Sequence, residues 1–199
     1  MSPSKIEHKL PLEVLEGLAL DQKPRIVMSE GNDPRVIAGA IAACNSGICQ
    51  IILLGSQLGI KNECKNLGLN LPIDISIINP EKSELLPEFE KEYLNIRKKK
   101  GGSIKEAQTK IKEPLIFAAL MVRLGYSTGT VGGAVETTSN VVRAAIQIIG
   151  KSDDAKLISS CFLMYPRGTF PMVFSDCGLV INPDKDELAS IAVMAAQSC

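Results

Sequence analysis

AALMVRLGYSTGTVGGAVETTSNVVRAAIQIIG, residues 118–150, is the stretch on which the reading of the chain turns. Just before and into it, Leu115, Ala118, Ala119 and Val122 recur at helical spacing. They predict a helix over 114–124 with one buried face, opened by Pro114 and stopped by Gly125. Thr130 and Val131 then read as a short strand that runs into Gly132 and Gly133, where a bare backbone can approach a ligand closely. Glu136, Thr137, Thr138, Ser139 and Asn140 supply hydroxyls and an amide where a second helix, expected over 141–149, needs its cap. Gly150 ends that helix.

Arg143 falls in the first turn of the helix so drawn, where the helix dipole disfavours a cation by roughly 0.3–1 kcal/mol. An anionic partner reverses the sign. Free N–H groups, the hydroxyls of Thr137, Thr138 and Ser139, and a guanidinium fork together describe a cradle for phosphate or carboxylate. The plainer reading also stands: Ser139 or Asn140 is only an N-cap, and Arg143 pairs with Glu136.

Working outward, the 199 residues suit one large or two small domains, and a chain of this size buries about 70% of its unfolded surface without staples. Apolar residues make up 45% and aromatic residues only 4%, with no Trp, which suits an Ala/Ile/Leu-rich α/β protein. Lys plus Arg equal Asp plus Glu, so no global field recruits nucleic acid or an anionic membrane, and anion binding has to be local. The six cysteines, at 44, 49, 64, 161, 177 and 199, form no C-x-x-C pair and have no His beside them. That is neither a zinc pattern nor a disulfide framework, and buried free thiols in a reducing compartment are expected. No signal peptide or membrane span is legible, so a cytoplasmic protein is expected.

In chain order, Leu12, Val14, Leu15 and Leu18 predict an amphipathic helix over 11–20. His8, the only histidine, stands in a polar leader, and a Ser-His-Asp or Cys-His mechanism is not expected. Residues 25–29 read as a strand, residues 30–32 as a turn, and Asp33-Pro34 as the cap and first residue of a helix that Gly47 terminates. A continuous apolar strand over 49–54, a helix begun by Ser56 and a strand over 73–78 follow. This alternation predicts a doubly wound, mostly parallel sheet, with ligands at the carboxyl ends of its strands, where Glu30 and Asp33 stand. Residues 84–99 predict a charged helix with Leu86, Phe89, Tyr93, Leu94 and Ile96 inward. Its end, Arg97-Lys98-Lys99-Lys100, is either a solvated dipole match or a contact for an anion. Ser103 and Glu106 form a capping box.

Beyond Gly150 the pattern changes. Strands over 156–164 and 171–175 around Pro166-Arg167-Gly168 predict an antiparallel hairpin. Asp176 is either a catalytic acid or a turn residue. Asp184 and Glu187 cap a last helix that turns Leu188, Ile191, Ala192 and Ala195 to one side. Two domains are therefore expected, 1–150 and 151–199.

The run M-V-R-L-G-x-x-x-G-x-V-x-G-A-V-x-T-T-x-x-V-x-R-A-A-x-Q-x-I-G over 121–150 resembles the signature region of phosphate acetyltransferases, in the phosphate acetyl/butyryltransferase family. The likeness extends to R-I-V-M-S-E-G-N-D-P-R at 25–35 and V-F-S-D at 173–176. It implies the isocitrate-dehydrogenase-like two-domain fold of the family, with the second domain incomplete. It also implies reversible acetyl transfer between acetyl phosphate and coenzyme A, in which the thiol attacks the acetyl carbonyl directly, with no covalent acyl-enzyme. Coenzyme A is then a substrate, with no permanently bound cofactor or metal and no nucleic-acid or membrane partner, and a homodimer is implied for the completed protein.

Substrate binding falls to Arg97, Gly132, Gly133, Thr137, Thr138, Ser139 and Arg143, with Arg97 at the basic position that serves coenzyme A in the family. The family's catalytic S-R-G segment and the aspartate after it have no counterpart here, so no catalytic residue is assigned, and Arg167 is not given that role. A catalytically empty module that binds coenzyme A or phosphate is the competing expectation. Phosphate butyryltransferase and the transferase-like domain of malic enzymes are further relatives, with G-A-V-E-T-T-S-N-V-V-R leaning to the acetyl enzyme.

Overall fold

A computed structural model describes residues 11–98, 103–152, 155–166 and 172–198, with the side chains of residues 11 and 12 excepted. His8, residues 99–102, residues 167–168 of the expected turn, Pro171 and Cys199 lie outside the described residues. The chain divides into two compact units, Ala19–Gly150 and a second that joins Lys151–Cys199 to the start of the first helix, up to Leu18.

The larger unit holds a four-stranded sheet. Its strands are β1 (Arg25–Met28), β2 (Gln50–Leu54), β3 (Ser76–Ile78) and β4 (Gly129–Val131), arranged in the order β3-β2-β1-β4. All three pairings are parallel: Val27 lies opposite Ile52 on one side and Thr130 on the other. A parallel sheet needs helical crossovers, and these cover both faces. Ile51 and Leu53 of β2 point to α2 (Pro34–Ser46) and α3 (Gln57–Asn66), where Ile37, Ala40, Ile41, Ile60 and Cys64 close one core. Val27, Ile52 and Leu54 point the other way, into a core shared by α4 (Leu86–Arg97), α5 (Ile104–Lys110), α6 (Pro114–Arg123) and α7 (Thr138–Ile148). At its centre Phe89 and Phe117, both fully buried, meet with ring centroids 4.7 Å apart. Each buried ring contributes about 1.5–3 kcal/mol relative to exposure.

The doubly wound, parallel architecture expected from the alternation is present, and several caps act as expected. Asp33 accepts from Arg35 N, Ser56 from Gly59 N, and Gly150, at φ +82°, turns α7 off with its N–H on Ala145 O. Other details differ. The third strand is three residues long rather than six, because Pro72 and Asp74 sit in a turn ahead of it. The charged helix runs over Leu86–Arg97 instead of 84–99, preceded by a 3-10 turn over Pro80–Lys82. Helix α6 is buried on all sides from Ile116 to Met121 rather than along one face, since α4, α7 and strands β1 and β4 surround it. Helix α1 (Pro11–Gln22) forms, yet Val14, Leu15 and Leu18 are exposed.

In the smaller unit β5 (Cys161–Met164) and β6 (Met172–Ser175) pair antiparallel, with Phe162 opposite Phe174. The first strand is shorter than the expected 156–164. Helix α8 (Lys185–Ser198) starts at a complete capping box, with Glu187 N on Asp184 Oδ1 and Asp184 N on Glu187 Oε2. Its inward side is rotated from the expected one: Ile191 is buried and Leu188 is 57% exposed.

Among the described residues no helix is long and apolar enough to cross a membrane, and no cluster of side chains could hold a metal ion. The described cysteines are free. Cys64 is buried and Cys44 and Cys49 partly so, but Cys161 and Cys177 are exposed, contrary to the expectation of buried thiols throughout. Burial raises the thiol pKa of Cys44, Cys49 and Cys64.

Candidate functional site

Strand order makes β1 and β4 neighbours although one chain segment leaves towards α2 and the other towards α7. Their carboxyl ends therefore flank a switch point, the place where open α/β sheets bind ligands. The segment Ser29-Glu30-Gly31-Asn32-Asp33-Pro34-Arg35 leaves β1 there, and nearly every residue of it is fixed. Ser29, buried, donates its N–H and its hydroxyl to Val131 O at 3.2 and 3.4 Å. Gly31 donates to Leu54 O, and a Cβ at Gly31 would lie 2.6 Å from that oxygen. Asp33 caps α2 and holds Arg35 through Oδ1 and Oδ2 at 3.0 and 2.9 Å, a side-chain contact that pulls the carboxyl down to about 2. Arg35 also donates to Ala134 O at 2.6 Å.

Glu30 does the most. Its two carboxylate oxygens accept four consecutive backbone N–H groups from the turn after β4. Gly133 and Ala134 donate to Oε2, both at 2.8 Å, while Val135 and Glu136 donate to Oε1 at 2.8 and 2.6 Å. Burial by itself would raise this carboxyl. The N–H groups of Glu136, Val135, Ala134 and Gly133 outweigh it and hold the pKa below the ordinary value. The turn is thus an anion-binding nest, as the sequence indicates, but the anion seated in it is a side chain of the same molecule.

This changes the reading of the glycines. Gly133, at φ +106°, lets the chain take the left-handed turn that aims its N–H at Glu30. Gly132 is needed for another reason: a Cβ there would lie 2.6 Å from Ser29 Oγ. Neither glycine lines the cleft described below.

Helix α7 begins at Thr138, three residues earlier than expected. Its N-cap is Thr137, whose hydroxyl accepts from Asn140 N at 3.2 Å, rather than Ser139 or Asn140. Arg143 therefore stands in the second turn, where the dipole penalty has faded. Its guanidinium donates to Asn140 Oδ1 at 3.2 Å, and Asn140 Nδ2 donates to Glu136 at 2.8 Å, so Glu136 reaches Arg143 only through the amide. Among the described residues no carboxylate forms an ion pair with Arg143. Thr138 and Ser139 are exposed on the first turn.

A cleft of about 1110 Å³ opens beside these groups within the larger unit. Asn140, Arg143, Ala144 and Gln147 line one wall, as helical spacing of three and four residues requires. Tyr93 and Arg97 of α4, and Lys110 and Lys112 beyond them, line another part. Arg97 is paired loosely with Glu106, at 3.7 Å, so the expected capping box at Ser103 forms on one side only, through Ser103 Oγ and Glu106 N. The Arg97 Nε is buried and has no hydrogen-bond partner among the described residues. A buried unpaired donor on a cation costs stability unless an acceptor arrives.

Of the residues expected to bind substrate, the cleft thus brings Arg97 and Arg143 together with Glu30 and Asp33. Thr137 acts as a cap, and Gly132, Gly133, Thr138 and Ser139 are not among its lining residues. Sequence reasoning passed over Asn140 as a partner of Arg143, and over Gln147. The i, i+3 and i, i+4 spacings to Arg143 are the signal that points to both.

In the smaller unit Asp176 accepts from the N–H and hydroxyl of Ser160, the hydroxyl of Ser159 and the N–H groups of Leu179 and Val180. It ties a turn together, in keeping with the turn reading.

A doubly wound parallel sheet whose switch point opens into a cleft, lined by Arg97 and Arg143 as well as by carboxylates such as Glu30 and Asp33, defines an open α/β protein of the ligand-binding kind. The family model described as phosphate acetyl/butaryl transferase matches residues 12–199, and the chain belongs to that family. It is similar to the phosphate acetyltransferase of Paracoccus denitrificans, 39% identical over 194 residues, covering 95% of this chain and 57% of that protein. Among solved structures, the EutD phosphotransacetylase from Staphylococcus aureus superposes with a TM-score of 0.84 at 29% identity, over 94% of this chain and 57% of that one. A phosphotransacetylase from Streptococcus pyogenes gives the same TM-score at 31% identity, over 92% and 55%. The chain spans about half the length of these relatives.

Proposed function

We propose that this chain is the substrate-binding portion of a phosphate acetyltransferase, which transfers an acetyl group reversibly between acetyl phosphate and coenzyme A. The observation that carries the proposal is the cleft itself. Among the described residues Arg143 faces it without a carboxylate partner, and the buried Nε of Arg97 has no acceptor. Two guanidinium groups suit the phosphate groups of these substrates. In the reaction the thiolate sulfur bonds to the acetyl carbon, the bond from that carbon to the bridging anhydride oxygen of acetyl phosphate breaks, and phosphate leaves with the electron pair. Arg143 offsets charge on the phosphate, and Arg97 anchors a phosphate of coenzyme A. Gly133 and Thr137 contribute by shaping the turn and the cap that present Arg143. A homodimer, a cytoplasmic setting and the division into domains near Gly150 belong to the same reading.

Glu30 and Asp33, the cleft carboxylates at the end of β1, are already engaged by backbone N–H groups and by Arg35. These contacts lower their pKa and make them weak acceptors for a thiol proton. This favours a second reading: a module that binds coenzyme A without turnover. Calorimetric titration of coenzyme A and an assay of acetyl-CoA formation from acetyl phosphate, run together, separate the two. Binding that weakens about tenfold or more in Arg143→Ala is expected on both readings. Turnover supports the transferase, binding without it supports the module, and a chain that takes up no coenzyme A refutes both.

A further inference from the structure

We propose that Glu30 is a positioning residue: by filling the nest of residues 133–136 it sets the start of α7 and, through it, the guanidinium of Arg143 in the cleft. The inference rests on the functional reading above and extends it to residues outside the ligand contacts.

A path of hydrogen bonds, continued through Glu136, joins Glu30 to Arg143. Glu30 Oε1 accepts from Glu136 N at 2.6 Å, Glu136 Oε2 accepts from Asn140 Nδ2 at 2.8 Å, and Asn140 Oδ1 accepts from Arg143 Nη1 at 3.2 Å. Each link has one chemically allowed direction. A carboxylate only accepts and a guanidinium only donates, so the Asn140 amide must turn its NH2 to Glu136 and its oxygen to Arg143.

Without Glu30, four adjacent N–H groups would point at one another's space around an empty centre, and the turn would have no reason to keep this shape. Arg35 holds the same turn from its carbonyl side through Ala134 O, 2.6 Å away, and is itself oriented by Asp33. The turn is therefore clamped between an anion on its N–H side and a cation on its C=O side. Both come from the loop after β1, and neither comes from α7. Arg35 does not line the cleft, so an effect of Arg35 on ligand binding passes through the turn or through its partner Asp33, which does line it.

The variants follow from the chemistry of the nest. Glu30→Gln keeps the shape but sets an NH2 group against two of the four N–H donors. Glu30→Ala empties the nest and leaves room for a small carboxylate. Coenzyme A is titrated into the wild-type chain and into Glu30→Gln, Glu30→Ala, Arg35→Ala and Arg143→Ala, each checked for folding by circular dichroism, with and without added formate. Glu30→Gln is expected to bind about tenfold more weakly, the scale of lost hydrogen bonds to a charged group, and Arg35→Ala about threefold more weakly. Formate should recover affinity in Glu30→Ala while leaving the wild type and Arg143→Ala unchanged, a pattern that a general loss of stability does not produce.

If Glu30 and Arg35 variants bind as the wild type does while Arg143→Ala does not, the inference is overturned and the functional reading stands. If the wild-type chain binds no coenzyme A, both are overturned. Should the Glu30 variants fail to fold, Arg35→Ala is made in an Asp33→Ala background, where no carboxylate is released into the cleft: binding weaker than in Asp33→Ala supports the clamp, and equal binding overturns it.

Discussion

Both units of the molecule contain a carboxylate wrapped by N–H groups, and the two are built differently. Glu30 gathers donors 103 to 106 residues away along the chain, above a core in which Phe89, Phe117 and Leu120 are fully buried. Asp176 gathers all of its donors from within 17 residues, in a unit where Phe162 is 59% and Phe174 52% exposed. The first knot joins elements that hydrophobic burial has already brought together, and it adds direction. The second stands in for burial, holding a hairpin whose apolar side chains meet little else in their own unit. A carboxylate in a nest thus orients where a core exists and staples where one is thin.

The largest test of this contrast lies in the aromatic residues. Phe117→Ala should cost about 3–5 kcal/mol in urea denaturation, through the lost ring and the cavity left beside Phe89. Phe174→Ala should cost less than about 1 kcal/mol, since its ring is half in water. Comparable costs at the two sites would break the comparison.

Asp176 should matter more to its unit than either Phe162 or Phe174. Asp176→Asn is expected to lose about 1.5–3 kcal/mol at pH 7, the range for hydrogen bonds to a charged group. Burial tends to raise this carboxyl, but the Ser160 hydroxyl and the N–H groups of Val180, Ser160 and Leu179 hold it far below the ordinary carboxylate range. The sign follows: the contribution is complete above the unfolded value of 3.8 and fades as pH falls below it towards the folded value. Urea denaturation should therefore find the gap between the wild type and Asp176→Asn narrowing as pH falls below 3.8, while the Leu179 and Val180 amide resonances of the folded wild type stay flat through the ordinary carboxylate range.

The smallest pair concerns glycines. Gly31→Ala drives a Cβ to 2.6 Å from the backbone oxygen of Leu54, which cannot swing away, and should cost about 1–3 kcal/mol. Gly178→Ala meets nothing within 4 Å and should stay within about 0.5 kcal/mol. Thermal unfolding of both variants sharpens the contrast between a packed loop and an open one.

Much of this was legible in the order of residues alone. Asp33, Ser56, Ser103 and the Asp184–Glu187 pair announce helix starts because a cap bonds to an N–H two or three residues on, so signal and consequence share one short window. The apolar runs at β1 and β2 and the intervening helix likewise report a parallel sheet through local periodicity. The cradle after β4 was visible as glycines followed by hydroxyls, and Arg143 was visible as a cation near a helix start, with Glu136 as its candidate local partner.

What fills the cradle was not visible. Glu30 reaches residues 133–136 because β1 lies beside β4 in the sheet, and no spacing along the chain encodes that adjacency. The same holds for Gly132, whose missing side chain answers to Ser29, and for α6, whose all-round burial depends on four neighbours at once. By itself the sequence determined the elements, their caps and the family's anion-binding turn, because these depend on atoms a few residues apart. Only the tertiary structure decided which anion sits in that turn and which way Arg143 faces. The first is set by hydrogen bonds between segments that meet through strand order alone, and the second by where the packing of the sheet places α7.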